Sequence, residues 1–262
     1  LSHWILILAM GAGVGILLGF TGIGSGSVLT PLLILFGGLP PATAVGTSLV
    51  FASLTKVAGS WRFYRRGMVH MSIFRRLLVG ALPGLLLGTG LLLRLRGSSP
   101  RLENVFLLRA IGATLICVSL LMTARFLQLG AASNLVERVT QLGRRHDRPL
   151  VLLTGFAVGL AVTLTSIGAG AALIPALYLV YRLDAGTLVG TSIFLGTVLS
   201  AAGALLHAGT GDVDLRVVGV LLLGSLPAIW LASHVHGRLP RQITEGILAL
   251  TMLALAIRFF FL

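Results

Sequence analysis

The chain has 262 residues, 56% of them hydrophobic and only 10% charged, with a mean hydropathy of +1.01. Ordinary soluble domains carry roughly 25% charged residues, so this is read as an all-α polytopic membrane protein. The formal charge of +13 invites a nucleic-acid reading, but all of the 20 basic residues except Lys56 are Arg, and they gather at the edges of apolar segments. That placement assigns them to topology and lipid headgroups and excludes nucleic acid as a partner.

The opening residues run into an apolar stretch from Trp4 to Phe20, with no charged start and no cleavage site of the kind a removable leader carries. Within it, Gly11-Ala12-Gly13-Val14-Gly15 and Gly19 place small residues on one face, where a neighbouring helix can approach closely. The same glycines resemble a dinucleotide-binding loop only superficially, because no strand precedes them and no acidic residue follows at the required distance.

Thr21-Gly22-Ile23-Gly24-Ser25-Gly26-Ser27-Val28-Leu29-Thr30-Pro31 then interrupts the apolar sequence. Glycine frees the backbone from helical geometry, and small hydroxyl residues can satisfy the released amides. At membrane depth such a break survives only where protein buries it or where it lines a cavity. The apolar run from Val28 to Phe36 is too short to cross alone at 1.5 Å per residue, so it is the second half of a discontinuous helix or a re-entrant segment. Gly37-Gly38-Leu39-Pro40-Pro41 ends it in a turn.

A span from Ala44 to Trp61 follows, carrying Gly46-Thr47-Ser48 near its start and Lys56 in its interior. An intramembrane ammonium costs several kcal/mol unless paired or hydrated. Lys56 therefore either faces an anion pathway or snorkels to the headgroups near Trp61 and Arg62. Arg62, Arg65, Arg66, His70, Arg75 and Arg76 form the strongest basic cluster between close spans and are expected in the cytoplasm. Further spans are expected from Leu77 to Leu93, kinked at Pro83-Gly84, and from Val105 to Phe126, with Arg109 snorkelling and a short polar loop from Arg94 to Arg101 between them. Gln128 to Arg148 is the one substantial polar stretch and reads as a cytoplasmic connector, with room for a short interfacial helix.

The second half replays the first at an offset of 144 residues. Thr165-Ser166-Ile167-Gly168-Ala169-Gly170 repeats the spacing of the first break, and Gly190-Thr191-Ser192 repeats Gly46-Thr47-Ser48. Positions 21 to 60 and 165 to 204 are identical at 16 of 40 places without gaps. Gly67 and Gly211, Gly80 and Gly224, Pro83 and Pro227, and Arg94 and Arg238 continue the correspondence. The expected organisation is a first transmembrane repeat (1–127), a connector (128–148) and a second repeat (149–262), each with four or five spans and a discontinuous helix at its break.

Charge counts hardly separate inverted from parallel repeats: 13 Lys and Arg inside against 6 outside for one, 12 against 7 for the other. The reading leans to inversion because Thr210-Gly211-Asp212-Val213-Asp214, the counterpart of the Arg-rich loop, has lost its basic character.

The acidic residues Glu103, Asp184, Asp212, Asp214 and Glu245 all read as lying at span ends or in loops, which disfavours a carboxylate-based cation site. Free amides at helix N-termini after Gly26 and Gly170, with Thr and Ser hydroxyls, suit an anion instead. The candidate substrate-binding residues are Thr21, Gly24, Ser25, Gly26, Thr47, Ser48, Lys56, Thr165, Gly168, Gly170, Thr191 and Ser192. Gly24-Ser25-Gly26 also resembles a nucleophile setting, but a serine needs a base, only His207 ends a span among the histidines, and Ser25 becomes Ala169 in the second half. No enzyme activity is expected. Cys117 is alone, so it forms no internal disulfide and no thiolate metal cage, and it reads as packing. His234 and His236 would point apart on a helix, and no metal or cofactor is expected.

The duplicated glycine-rich break, the turn, and Ala44-Val45-Gly46-Thr47-Ser48 resemble the TauE/SafE family, the sulfite exporters or toluene sulfonate uptake permeases, over nearly the whole chain. The resemblance implies a multi-pass secondary transporter of sulfite, sulfoacetate or related organosulfur anions in the bacterial inner membrane. It leaves open the direction, a coupling ion (H+ or Na+) and homo-oligomerisation. Ala169 and Ala171 depart from the first half, where serines stand, which puts an equal role for the two halves in question. A scaffold or assembly factor for a sulfur-handling enzyme is the alternative from another class.

Overall fold

A computed structural model describes residues 2–21, 25–126, 147–167, 184–235 and 241–260, which are helical apart from short connections. In chain order the helices are α1 (Ser2–Thr21), α2 (Ser25–Leu35), α3 (Pro41–Arg65), α4 (Met71–Ser98), α5 (Pro100–Phe126), α6 (Asp147–Thr165), α7 (Ala185–Gly209), α8 (Leu215–Val235) and α9 (Arg241–Phe260). Six helices among the described residues are long and apolar enough to cross a membrane. Large apolar side chains cover the outside: Leu205, Leu223 and Leu250 are each 69% exposed or more, as a lipid-facing surface requires. The protein is an all-α polytopic membrane protein.

Local chemistry explains most boundaries. Pro40 and Pro41 open α3 where a missing amide costs nothing. Gly67, at φ +69°, ends α3: the Gly67 amide donates to the Tyr64 carbonyl and the Met68 amide to the Phe63 carbonyl. Gly211, at φ +79°, ends α7 in the same way, with Ala208 and His207 as acceptors. This six-to-one and five-to-two pairing needs the left-handed backbone that glycine adopts without strain. The connector expected between 128 and 148 lies mostly outside the described residues, which resume with α6 at Asp147.

One boundary differs from expectation. The polar loop read from Arg94 to Arg101 is helix: α4 continues through Ser98, Ser99 alone interrupts, and Pro100 opens α5. The Arg96 charge is neutralised by a tertiary ion pair, so the chain has no need to leave the helix to solvate it.

Helix pairing follows the glycines. Side chains at Gly11 and Gly15 of α1 would strike the backbones of Leu221 and Ser225 in α8, and one at Gly19 would strike Ala232. The second half mirrors this at the same offset: Gly155 and Gly159 of α6 lie against Leu77 and Ala81 of α4. Gly80 meets the Leu152 carbonyl, and Gly224 meets that of Leu8. Ascending partner numbers make both pairs parallel, and small residues let the backbones touch where no hydrophobic effect drives helices together.

Helices α3 and α7 cross antiparallel. Gly46 lies against the Asp212 carbonyl and His207, Gly190 against the Met68 carbonyl, and Gly203 against Leu49. Helix α2 packs chiefly on α3 and α1, and α5 packs on α9. Leu29, Leu33, Leu49, Phe51, Leu195 and Leu199 join these elements into one apolar core.

Candidate functional site

Of the residues singled out in the sequence, Gly24, Gly168 and Gly170 lie outside the described residues. Thr21 closes α1 and Ser25 opens α2. Gly26, the second residue of α2, is buried directly against the Ser166 carbonyl and Oγ, so the first turn of this half-length helix abuts the second break. Ser166 has φ +58°, a left-handed conformation that a residue with a Cβ adopts only under constraint.

The duplicated hydroxyls divide into two groups. Thr47 Oγ1 accepts from the Asp214 amide at 3.1 Å, and Thr191 Oγ1 accepts from the His70 amide at 2.9 Å, so both pin the start of a distant helix. Thr165 Oγ1 donates to the Ala161 carbonyl at 2.7 Å and accepts from the Ile167 amide at 3.1 Å, closing α6. Ser192 Oγ donates to the Leu188 carbonyl at 2.8 Å. Ser48, its counterpart, is fully buried with no hydrogen-bond partner among the described residues.

Four further hydroxyls share that condition: Thr30 in α2, Thr163 and Ser166 at the end of α6, and Ser200 in α7. Buried hydroxyls without partners cost about 1–3 kcal/mol each, and in a native protein they ask for an unseen polar partner. Sequence reading named Ser48 but passed over these four, although Ser166 and Thr30 lie inside the break motifs it had marked.

Lys56 is 7% exposed and continues the buried stripe of Val45, Leu49 and Ala52 on α3. It makes no ion pair or hydrogen bond among the described residues. Lys56 stands nine residues before the end of α3, near its middle. With Leu49 against Gly203, the antiparallel crossing places Lys56 and Ser200 within about one helical turn of the same level.

A second polar group was invisible in the sequence. Arg96 in α4 holds Glu103 of α5 through Nε and Nη2 at 3.0 and 2.9 Å, and Asp212 through Nη2 at 2.7 Å. Thr210 Oγ1 donates to Asp212 at 2.6 Å, and its carbonyl accepts from Arg96 Nη1 at 3.2 Å. Glu103 stands at a span end, in the first turn of α5, and is 4% exposed. His207 joins this group and closes the α3–α7 crossing at the end opposite the Arg62 to Arg76 segment. No cluster of three or more His, Cys, Asp or Glu suited to a metal occurs among the described residues.

The family model described as sulfite exporter TauE/SafE matches residues 7–259. The chain belongs to the sulfite exporter TauE/SafE family. It is 33% identical over 244 residues to the probable membrane transporter protein YjnA of Bacillus subtilis (strain 168), covering 93% of this chain and 94% of the relative. The probable membrane transporter proteins YdhB and YunE of the same organism are 25% and 21% identical, covering 90% and 95% of this chain and 92% and 93% of their own lengths. No solved structure matches. This TauE/SafE protein is therefore a multi-pass membrane transporter and not an enzyme, and the serine-hydrolase reading falls away.

Proposed function

We propose that this TauE/SafE protein is a secondary transporter of small sulfur-containing anions, such as sulfite, sulfoacetate or other organosulfonates, in the bacterial inner membrane. The observation that carries the proposal is the contact of Gly26 with Ser166, which sets the N-terminal turn of α2 against the second break. A helix N-terminus offers free amides and a partial positive charge, and unpartnered hydroxyls nearby in sequence on both breaks can donate to an oxyanion. Lys56 adds a buried cation with no counterion among the described residues, and an anionic substrate would supply one.

The antiparallel crossing of α3 and α7 supports inverted repeats, because a two-fold axis in the membrane plane reverses a spanning helix whereas an axis along the normal does not. With the Arg62 to Arg76 segment in the cytoplasm, a reporter fused after Leu262 then lies outside. A cytoplasmic reporter would sink this topology.

Purified protein in proteoliposomes should carry sulfite or a sulfonate and be indifferent to large cations. Flux of none of sulfite, sulfoacetate and methanesulfonate would favour the scaffold alternative. Lys56→Met keeps the stem and removes the charge, and should weaken anion affinity by roughly tenfold for each 1.4 kcal/mol lost, with partial recovery in Lys56→Arg. Calorimetry that returned the parental affinity for Lys56→Met would remove Lys56 from the site.

A further inference from the structure

We propose that His207 binds the coupling proton of this transporter, with Arg96, Glu103 and Asp212 as its charge-balancing partners; the coupling role rests on the anion-transport reading above. His207 is 3% exposed, and its Nε2 lies 3.0 Å from the Thr163 carbonyl oxygen. A carbonyl can only accept, so Nε2 carries the hydrogen in this arrangement and Nδ1 is left with a bare lone pair. Nδ1 is sealed from solvent and has no hydrogen-bond partner among the described residues. Such a nitrogen lacks one thing only, a proton or a donor.

The surroundings supply a counter-charge. Thr89, Arg96, Glu103, His207, Thr210 and Asp212 border a cavity of about 10 Å³, space for at most one water beside the charged group. Among the described residues, the groups facing the imidazole are Arg96 from α4, Glu103 from α5, Asp212 from the turn after α7 and the Thr163 carbonyl from α6, while α3 presents the uncharged Gly46. One guanidinium and two carboxylates leave this group one negative charge in excess. A proton on Nδ1 completes the neutral set, and balance favours charges that are even partly withdrawn from water.

The bound proton would be felt at the breaks. Thr163, whose carbonyl holds the imidazole, stands three residues before Ser166, the residue on which Gly26 packs. Converting His207 to the imidazolium strengthens its hold on the Thr163 carbonyl and gives Nδ1–H a reason to seek Asp212 or Glu103. Either response acts on the end of α6 and thus on the second break.

The test uses the full chain in nanodiscs with nitrogen-15-labelled histidine. The His207 signal is assigned by its loss in His207→Asn or, should that variant fail to fold, in His207→Gln. At high pH it should show the neutral Nε2–H tautomer, and acidification should protonate Nδ1. A His207 that stays neutral from about pH 8 to about pH 5, across the range in which histidine ordinarily titrates, would overturn the proposal. Transport gives the second readout, with methanesulfonate as probe because it has no proton of its own to release. An imposed pH gradient should drive its accumulation in the parent, and His207→Asn should lose that accumulation while retaining exchange at equal pH. Equal gradient-driven accumulation in the two, or accumulation driven by sodium and indifferent to pH, would also overturn it. Absence of any methanesulfonate flux in the parent would count against the substrate reading, and the titration would still decide the proton site.

Discussion

The two ends of the α3–α7 crossing share one backbone and differ in almost every side chain that could carry charge. At one end Gly46 lies under the Asp212 carbonyl and Thr47 receives the Asp214 amide; at the other Gly190 lies under the Met68 carbonyl and Thr191 receives the His70 amide. Each pair is related by the same offset of 144 residues. The first end holds His207, Thr210 and Asp212, tied to Arg96 and Glu103. The second holds Phe63, Arg66 and Met68 at the matching positions, and Tyr64, Phe74 and Phe194 pack there as a stacked and an edge-on aromatic pair. The duplicated motifs therefore maintain the frame, and the residues that diverged decide what each end does. A transporter needs such inequality if its two faces are to respond to different signals.

Arg96→Ala breaks the comparison most severely. It leaves the buried Glu103 and the part-buried Asp212 without their cation, and removing one partner of a buried pair costs about 3–5 kcal/mol. The Arg96 side chain is 34% exposed, so the lower part of that range is expected, read as a fall in the thermal midpoint of detergent-solubilised protein. No ion pair is recorded at the aromatic end among the described residues, and Phe63→Ala there should show no charge-dependent component.

Gly46→Ala and Gly190→Ala sharpen the shared half of the comparison. Each adds a methyl group where a carbonyl already sits, and overpacking of this kind costs about 1–3 kcal/mol. The two losses should agree closely; a loss at one end alone would show that the frames are not equivalent. Thr47→Val and Thr191→Val come next. Each removes one acceptor for a backbone amide, worth about 1 kcal/mol, and again the pair should match in thermal unfolding.

The smallest effect has the opposite sign. Gly13 lies between Gly11 and Gly15 in α1, but a Cβ there would meet nothing within 4 Å. Gly13→Ala should stabilise the protein by about 0.5–1 kcal/mol through helix propensity, whereas Gly11→Ala should destabilise it against Leu221. Equal behaviour of the two variants would argue against the pairing of α1 with α8.

Local sequence determined what depends on near neighbours. Apolar run length set the spans, Pro40-Pro41 set where α3 begins, and the glycines at 67 and 211 set where α3 and α7 end, because backbone freedom and helix capping act within a few residues. The duplication was equally plain. Only the tertiary structure decided which hydroxyls are engaged, since Thr47 and Thr191 find their partners 167 and 121 residues away while Ser48 finds none among the described residues. It alone joined the span-end charges Arg96, Glu103 and Asp212 into one ionic group, with Arg96 and Asp212 116 residues apart. A charge reads as solvent-facing whenever its sequence neighbours are polar, and what overrides that reading is an opposite charge delivered by another helix.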